Sequence, residues 1–114
     1  MIEIYHNPRC GKSRTALAAV EEKTTDYKIT KYLEEIPTYD SLKTLLKKLD
    51  FKPLELVRQK EKVWVENYKN NPMSDDEIIK AMILNPILIE RPILIKEDKA
   101  IIARDLGSLN DFLS

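Results

Sequence analysis

The chain has 114 residues, 33% of them charged, with lysine and arginine balanced by aspartate and glutamate to zero net charge. That length suits a single domain with a genuine core, and the neutral balance gives no support for a nucleic-acid or polyanion binder. A single cysteine excludes an internal disulfide and fits a reducing compartment. No apolar run approaches the ~18 residues of a membrane span and no signal peptide opens the chain, so a cytoplasmic protein with no membrane partner is expected.

Residues 2–5, Ile-Glu-Ile-Tyr, read as a short strand. The next stretch is His6-Asn7-Pro8-Arg9-Cys10-Gly11-Lys12-Ser13-Arg14. It holds the only histidine and the only cysteine, and it carries the cations Arg9, Lys12 and Arg14 with no carboxylate. Ala16, Leu17, Ala19 and Val20 then suit one face of a helix ending near Lys23. Cys10 therefore falls at a strand-to-helix turn. A thiol is nucleophilic as its anion, and a free cysteine with a pKa of ~8.5 is mostly protonated at neutral pH. The unpaired N–H groups in the first turn of a helix act as roughly half a positive charge, which favours a thiolate beside them. The same N–H groups, on Gly11, Lys12 and Ser13, suit an oxyanion substrate. Gly11 allows close approach to the backbone and Pro8 fixes the entry of the chain.

A lone cysteine is more often a small buried hydrophobe, but flanking Arg, Gly, Lys and Ser make a poor core segment. Gly11-Lys12-Ser13 is not the end of a phosphate-binding P-loop, which needs a glycine five residues earlier, where His6 stands. Ser13 occupies the place of a second cysteine, so the site is monothiol. His6 either stabilises the sulfur anion as an imidazolium or hydrogen-bonds the turn. One histidine and one cysteine without clustered carboxylates argue against a metal site.

Residues 27–32 are rich in strand formers with charges interleaved, which predicts a strand near a sheet edge. Thr38 is a candidate N-cap for a helix whose Leu42, Leu45, Leu46 and Leu49 form a core stripe. Residues 53–57 read as a short helical turn leading to Arg58, and 62–70 are ambiguous, with Trp64 and Tyr68 at helical spacing. Ser74 and Glu77 form a capping box for a helix that Asn85-Pro86 ends. The apolar run 87–95, broken by Glu90-Arg91-Pro92, and a second strand at 100–103 read as a hairpin. Residues 105–113 read as a closing helix. The order βαβ, several helices, then ββα predicts an α/β fold with a mixed sheet, the thioredoxin plan. The helices between the two halves read as an insertion over about 38–85. Arg91 and Arg104 each fall at a strand end among apolar residues, where a charge is either paired or functional. Arginine's planar fork suits tetrahedral oxyanions.

The stretch from Ile4 to Arg14 resembles the active-site segment of glutaredoxin-linked arsenate reductases. The resemblance continues through Tyr32-Leu33-Glu34, Pro37-Thr38, Leu56-Val57-Arg58 and Ser74-Asp75-Asp76, and ends with Asn85-Pro86-Ile87-Leu88-Ile89-Glu90-Arg91-Pro92-Ile93 and Ala103-Arg104. It implies a thioredoxin-like fold in which Cys10 attacks arsenate, with His6 near the thiolate and Arg58, Arg91 and Arg104 binding the oxyanion. It implies a cis-proline at Pro92. It also implies no bound cofactor, glutathione as co-substrate, glutaredoxin as partner, and a monomer. Lys12 stands where such reductases typically have a small hydroxyl residue, and Arg9 where they have a small one. Two alternatives from the same superfamily are an Spx-type regulator docking to RNA polymerase and a monothiol glutathione-dependent oxidoreductase. Ser13, in place of a second cysteine, argues against a redox switch of the first kind.

Overall fold

The computed structural model describes residues 1–114. The elements in chain order are β1 (Ile2–Tyr5), α1 (Gly11–Lys23), β2 (Tyr27–Thr30), α2 (Tyr39–Leu49), α3 (Lys62–Asn67), α4 (Asp75–Leu84), β3 (Ile93–Lys96), β4 (Lys99–Ile102) and α5 (Leu106–Leu113). Two 3-10 turns, Pro53–Leu56 and Pro86–Leu88, complete the list. The chain divides into two compact units, one of Met1–Glu35 with Arg91–Ser114 and the other of Ile36–Glu90.

The first unit contains the sheet, in the order β2-β1-β3-β4. β1 runs parallel to β2 and antiparallel to β3, which pairs antiparallel with β4. This is the βαβ-plus-ββα mixed sheet that the order of elements predicts, with β2 at an edge. Side chains alternate across a strand, so Ile2 and Ile4 share one face of β1. They pack with Leu94, with Ala16 and Val20 of α1, and with Ala103, Leu109 and Leu113. The small residues of α1 permit close approach to the sheet, and larger side chains of α5 fill the remaining space. Burying such a face is the main source of stability for a short helix.

Two expected strands are shorter than the patterning indicates. β2 stops at Thr30, because its partner β1 ends at Tyr5 and one last bond joins the His6 N–H to the Thr30 carbonyl, 2.9 Å. Asn7-Pro8 then turns the chain away, and Lys31 starts a turn whose carbonyl accepts from Glu34 and Glu35. Tyr32, expected in the strand, instead stacks on Tyr5 with ring centroids 6.0 Å apart. The apolar run 87–95 is likewise not one strand. Pro86 begins a 3-10 turn, and Pro92, with no N–H to donate, precedes a β3 that starts only at Ile93. The Arg91–Pro92 peptide bond is cis.

The second unit is helical. Thr38 caps α2 and Ser74 caps α4, each in a reciprocal capping box with the residue three positions on. Leu42, Leu45, Leu46 and Leu49 are all buried. The ambiguous 62–70 segment forms the short α3, with Trp64 stacked on Tyr68 at 5.4 Å.

Candidate active site

Cys10 is the N-cap residue of α1, extended in backbone (φ −97°, ψ 122°), and its carbonyl accepts the first helical bond, from Arg14 N–H at 3.0 Å. Its side chain is half-buried. The sulfur faces the backbone N–H groups of Lys12 and Ser13 and the guanidinium of Arg91. Burial alone pushes the thiol up, but the Ser13 N–H, the Arg91 guanidinium and the Lys12 N–H outweigh it. They hold the thiol below the usual cysteine value. Each of these groups favours the anion, so the turn is built for a thiolate.

The geometry of the turn comes from its neighbours. Asn7, which is buried, accepts the Cys10 N–H on its carbonyl and the Arg9 N–H on its side-chain oxygen, both at 3.0 Å. Its own N–H donates to the Ser13 hydroxyl at 3.0 Å, and that hydroxyl lies 2.7 Å from His6 Nδ1. The Arg14 guanidinium donates to the Pro8 carbonyl at 2.9 Å. The loop is thus tied at both ends to α1. Asn7 was not singled out from the sequence, although Asn-Pro is a turn-initiating dipeptide and that signal was there to read.

His6 is buried, and its basicity is lowered by burial first and then by the positive charges of Lys31 and Arg14. It is therefore neutral at pH 7, a hydrogen-bonding partner of the turn. Of the two roles open to it, the environment favours that one over an imidazolium.

The ends of the hairpin explain how Arg91 reaches the sulfur. β1 pairs Tyr5 with Ile93, and β3 pairs Ile93 with Ile102. One residue further on, the Ala103 N–H donates to the Pro92 carbonyl at 2.9 Å. The segments after β1, before β3 and after β4 therefore converge at the same end of the sheet, bringing His6, Arg91-Pro92 and Ala103-Arg104 together. Arg104 is exposed and lines a cleft of roughly 570 Å³ together with Gly11 and Lys12.

Arg58 belongs to the second unit. There its guanidinium lies 3.1 Å from Glu61 and 3.4 Å from Glu90, and its N–H donates to the Leu88 carbonyl at 2.7 Å. An isolated bridge between Val57 and Ile89 holds its loop in place. No group of three or more His, Cys, Asp or Glu side chains is placed to hold a metal ion, and no helix is long and apolar enough to cross a membrane.

Comparison with known proteins gives this geometry a family. Residues 5–112 match the ArsC family. An arsenate reductase of Neisseria meningitidis is 35% identical over 114 residues, covering 98% of this chain and 97% of that protein. An uncharacterised Escherichia coli protein, YfgD, is 41% identical over 105 residues, covering 90% of this chain and 88% of its own. Among solved structures, an arsenate reductase from Vibrio cholerae superposes with a TM-score of 0.90 at 36% identity, covering 96% of this chain and 95% of the other. The match takes in the Cys10 turn, the Arg91-Pro92 pair and Arg104 in one continuous span, and the chain belongs to the ArsC family.

Proposed function

We propose that the protein is a monothiol arsenate reductase that draws its electrons from glutathione and glutaredoxin. The Cys10 thiolate attacks arsenic, an S–As bond forms, and one arsenate oxygen leaves as water after protonation. A glutathione thiol then attacks the Cys10 sulfur. The new S–S bond forms as the S–As bond breaks, its electron pair passes to arsenic, and As(V) leaves as arsenite. Glutaredoxin takes the glutathione from the mixed disulfide and returns Cys10 to the thiolate. The net change is two thiols oxidised to one disulfide and one arsenic reduced by two electrons.

The observation that carries this reading is the lowered thiol of Cys10, held by the N–H groups of Ser13 and Lys12 and by Arg91. Arg91 serves both the sulfur and the incoming oxyanion, and Arg104 adds positive charge to the bound substrate. The reading has the protein act as a cytoplasmic monomer, without a resident cofactor, where thiols are kept reduced. Arsenite production with glutathione and glutaredoxin tests it. Wild type turns over, Cys10→Ser does not, and normal turnover by that variant overturns the reading.

A further inference from the structure

Ser13 stands three residues after the nucleophile, in the first turn of α1. A hydroxyl at that spacing is free to turn toward the sulfur or toward an incoming oxyanion. Instead, both of its partners come from the segment leaving β1. The Asn7 N–H donates to it at 3.0 Å, and His6 Nδ1 lies 2.7 Å from it. Ser13 is fully buried, so solvent does not compete for these bonds. His6 is itself fixed to the sheet, its N–H donating to the Thr30 carbonyl at 2.9 Å. A continuous brace therefore runs from the end of β2 through His6 to α1.

A serine hydroxyl has one proton to give and two lone pairs with which to accept. The Asn7 N–H occupies one lone pair, and Nδ1 of a neutral imidazole takes the proton. Burial, Lys31 and Arg14 keep the ring neutral, against the Ser13 backbone and Glu21, which favour its cation. The Ser13 N–H meanwhile faces the Cys10 sulfur, together with the Lys12 N–H and the Arg91 guanidinium. One residue is thus held to the end of β1 by its side chain and aimed at the nucleophile by its backbone. Aim matters, because an N–H group stabilises an anion in proportion to its alignment with it.

We propose that Ser13 is a positioning residue for the chemistry of Cys10. Its hydroxyl, bonded to His6 Nδ1 and the Asn7 N–H, locks the first turn of α1 so that the Ser13 and Lys12 N–H groups stay aimed at the sulfur. The hydroxyl itself gives nothing to the sulfur or the substrate. The inference rests on reading Cys10 as the nucleophile, and not on arsenate being what it attacks. Two other ties hold the loop, the Cys10 N–H to the Asn7 carbonyl at 3.0 Å and the Arg14 guanidinium to the Pro8 carbonyl at 2.9 Å. Among these ties only the hydroxyl acts on Ser13 directly.

The alkylation rate of Cys10 against pH tests this without arsenate, since a merely structural contact leaves that profile unmoved. Ser13→Ala keeps the two other ties and is expected to fold. Its alkylation near neutral pH should be about three- to tenfold slower than wild type and should converge with it at high pH. Ser13→Thr keeps the hydroxyl and should recover most of the rate. A Ser13→Ala profile that overlays wild type overturns the proposal. A wild-type profile of an ordinary thiol overturns it together with the nucleophile reading, whereas a wild type that fails only to reduce arsenate overturns the reductase reading alone. The wild-type protein gives a second measurement that depends on no variant, the ring ¹⁵N resonances of His6 at neutral pH. Nδ1 is expected to be the unprotonated, hydrogen-bonded nitrogen. A proton found on Nδ1 leaves the Ser13 hydroxyl free to turn elsewhere and overturns the proposal.

Discussion

The guanidinium of Arg91 faces the sulfur of Cys10 and favours its anion. The two residues lie near opposite ends of the chain and meet because β1 and β3 are neighbours in register. The interaction is between a permanent cation and a group whose charge is adjustable, so it acts on the thiol equilibrium directly. Replacing Arg91 with Met should raise the thiol toward the ordinary cysteine value. The measurement is the alkylation rate of Cys10 against pH. At neutral pH the variant should react several-fold more slowly and converge with wild type at high pH. Arg91→Lys should recover part of the effect, because it keeps the charge but lacks the planar fork. A variant profile that overlays wild type would remove Arg91 from the site.

His6 makes a separate prediction in the opposite direction to a paired histidine. Its folded-state pKa lies below the ordinary 6.5 because burial and the nearby cations disfavour the imidazolium. The unfolded chain therefore binds more protons, and stability must rise with pH in that region. The stabilising contribution is fully present above 6.5 and is lost as pH falls through the lower folded value. Thermal unfolding of wild type and His6→Gln between pH 7.5 and 5 should show the wild-type loss on acidification and a flatter curve in the variant.

Much of this site was legible in the sequence. A cysteine among cations at a strand-to-helix turn has few structural explanations, and the N-cap position of Cys10 follows from the change in hydrophobic periodicity. The capping boxes at Thr38 and Ser74 were similarly local. The lengths of β2 and β3 were not legible, because each is set by its partner in the sheet and not by its own residues. The pairing of Arg58 with Glu61 and Glu90 was hidden in part for the same reason. Glu61 is close in sequence, but Glu90 reaches Arg58 through the Val57–Ile89 bridge. Nor could the neutral state of His6 be read from composition, since Lys31 comes near it only through the parallel β1–β2 pairing.

Asn7 should matter more than its polar, loop-forming character suggests. It is 5% exposed, and its side chain accepts the Arg9 N–H. Asn7→Ala leaves that donor without its partner and loosens the turn that presents Cys10. A loss of about 1–2 kcal/mol in denaturant unfolding is expected, together with slower alkylation of Cys10 at neutral pH. Loss of stability with an unchanged alkylation profile would restrict Asn7 to a folding role.

Arg58 and its two carboxylates are partly buried, with side-chain exposures of 27%, 27% and 15% for Arg58, Glu61 and Glu90. Pairs at this exposure contribute little in the fully solvated limit and more when desolvated. A double-mutant cycle with Arg58→Met and Glu90→Gln should give a coupling energy of about 1 kcal/mol. A coupling energy near zero would show that the pairs with Glu61 and Glu90 add nothing to the stability of their own unit.

Gly11 separates what the fold needs from what a ligand needs. It is the first residue of α1 and has no positive φ, so its backbone does not demand glycine. A methyl group there meets only the Arg14 guanidinium at ordinary contact distance, 3.7 Å. Alanine also loses less conformational entropy than glycine on entering a helix. Gly11→Ala should therefore fold normally and gain up to about 0.5–1 kcal/mol. Because the N–H groups facing the sulfur belong to Lys12 and Ser13, the alkylation pH profile of Cys10 should stay close to wild type. The added methyl nevertheless takes space next to Cys10 on the chain, and the rate of mixed-disulfide formation with oxidised glutathione should fall. A variant that is more stable, equally acidic at Cys10 and slower with the peptide disulfide would show that the glycine serves the bound ligand and not the helix. If that rate is unchanged, the space beside Gly11 is not on the ligand's path to the sulfur.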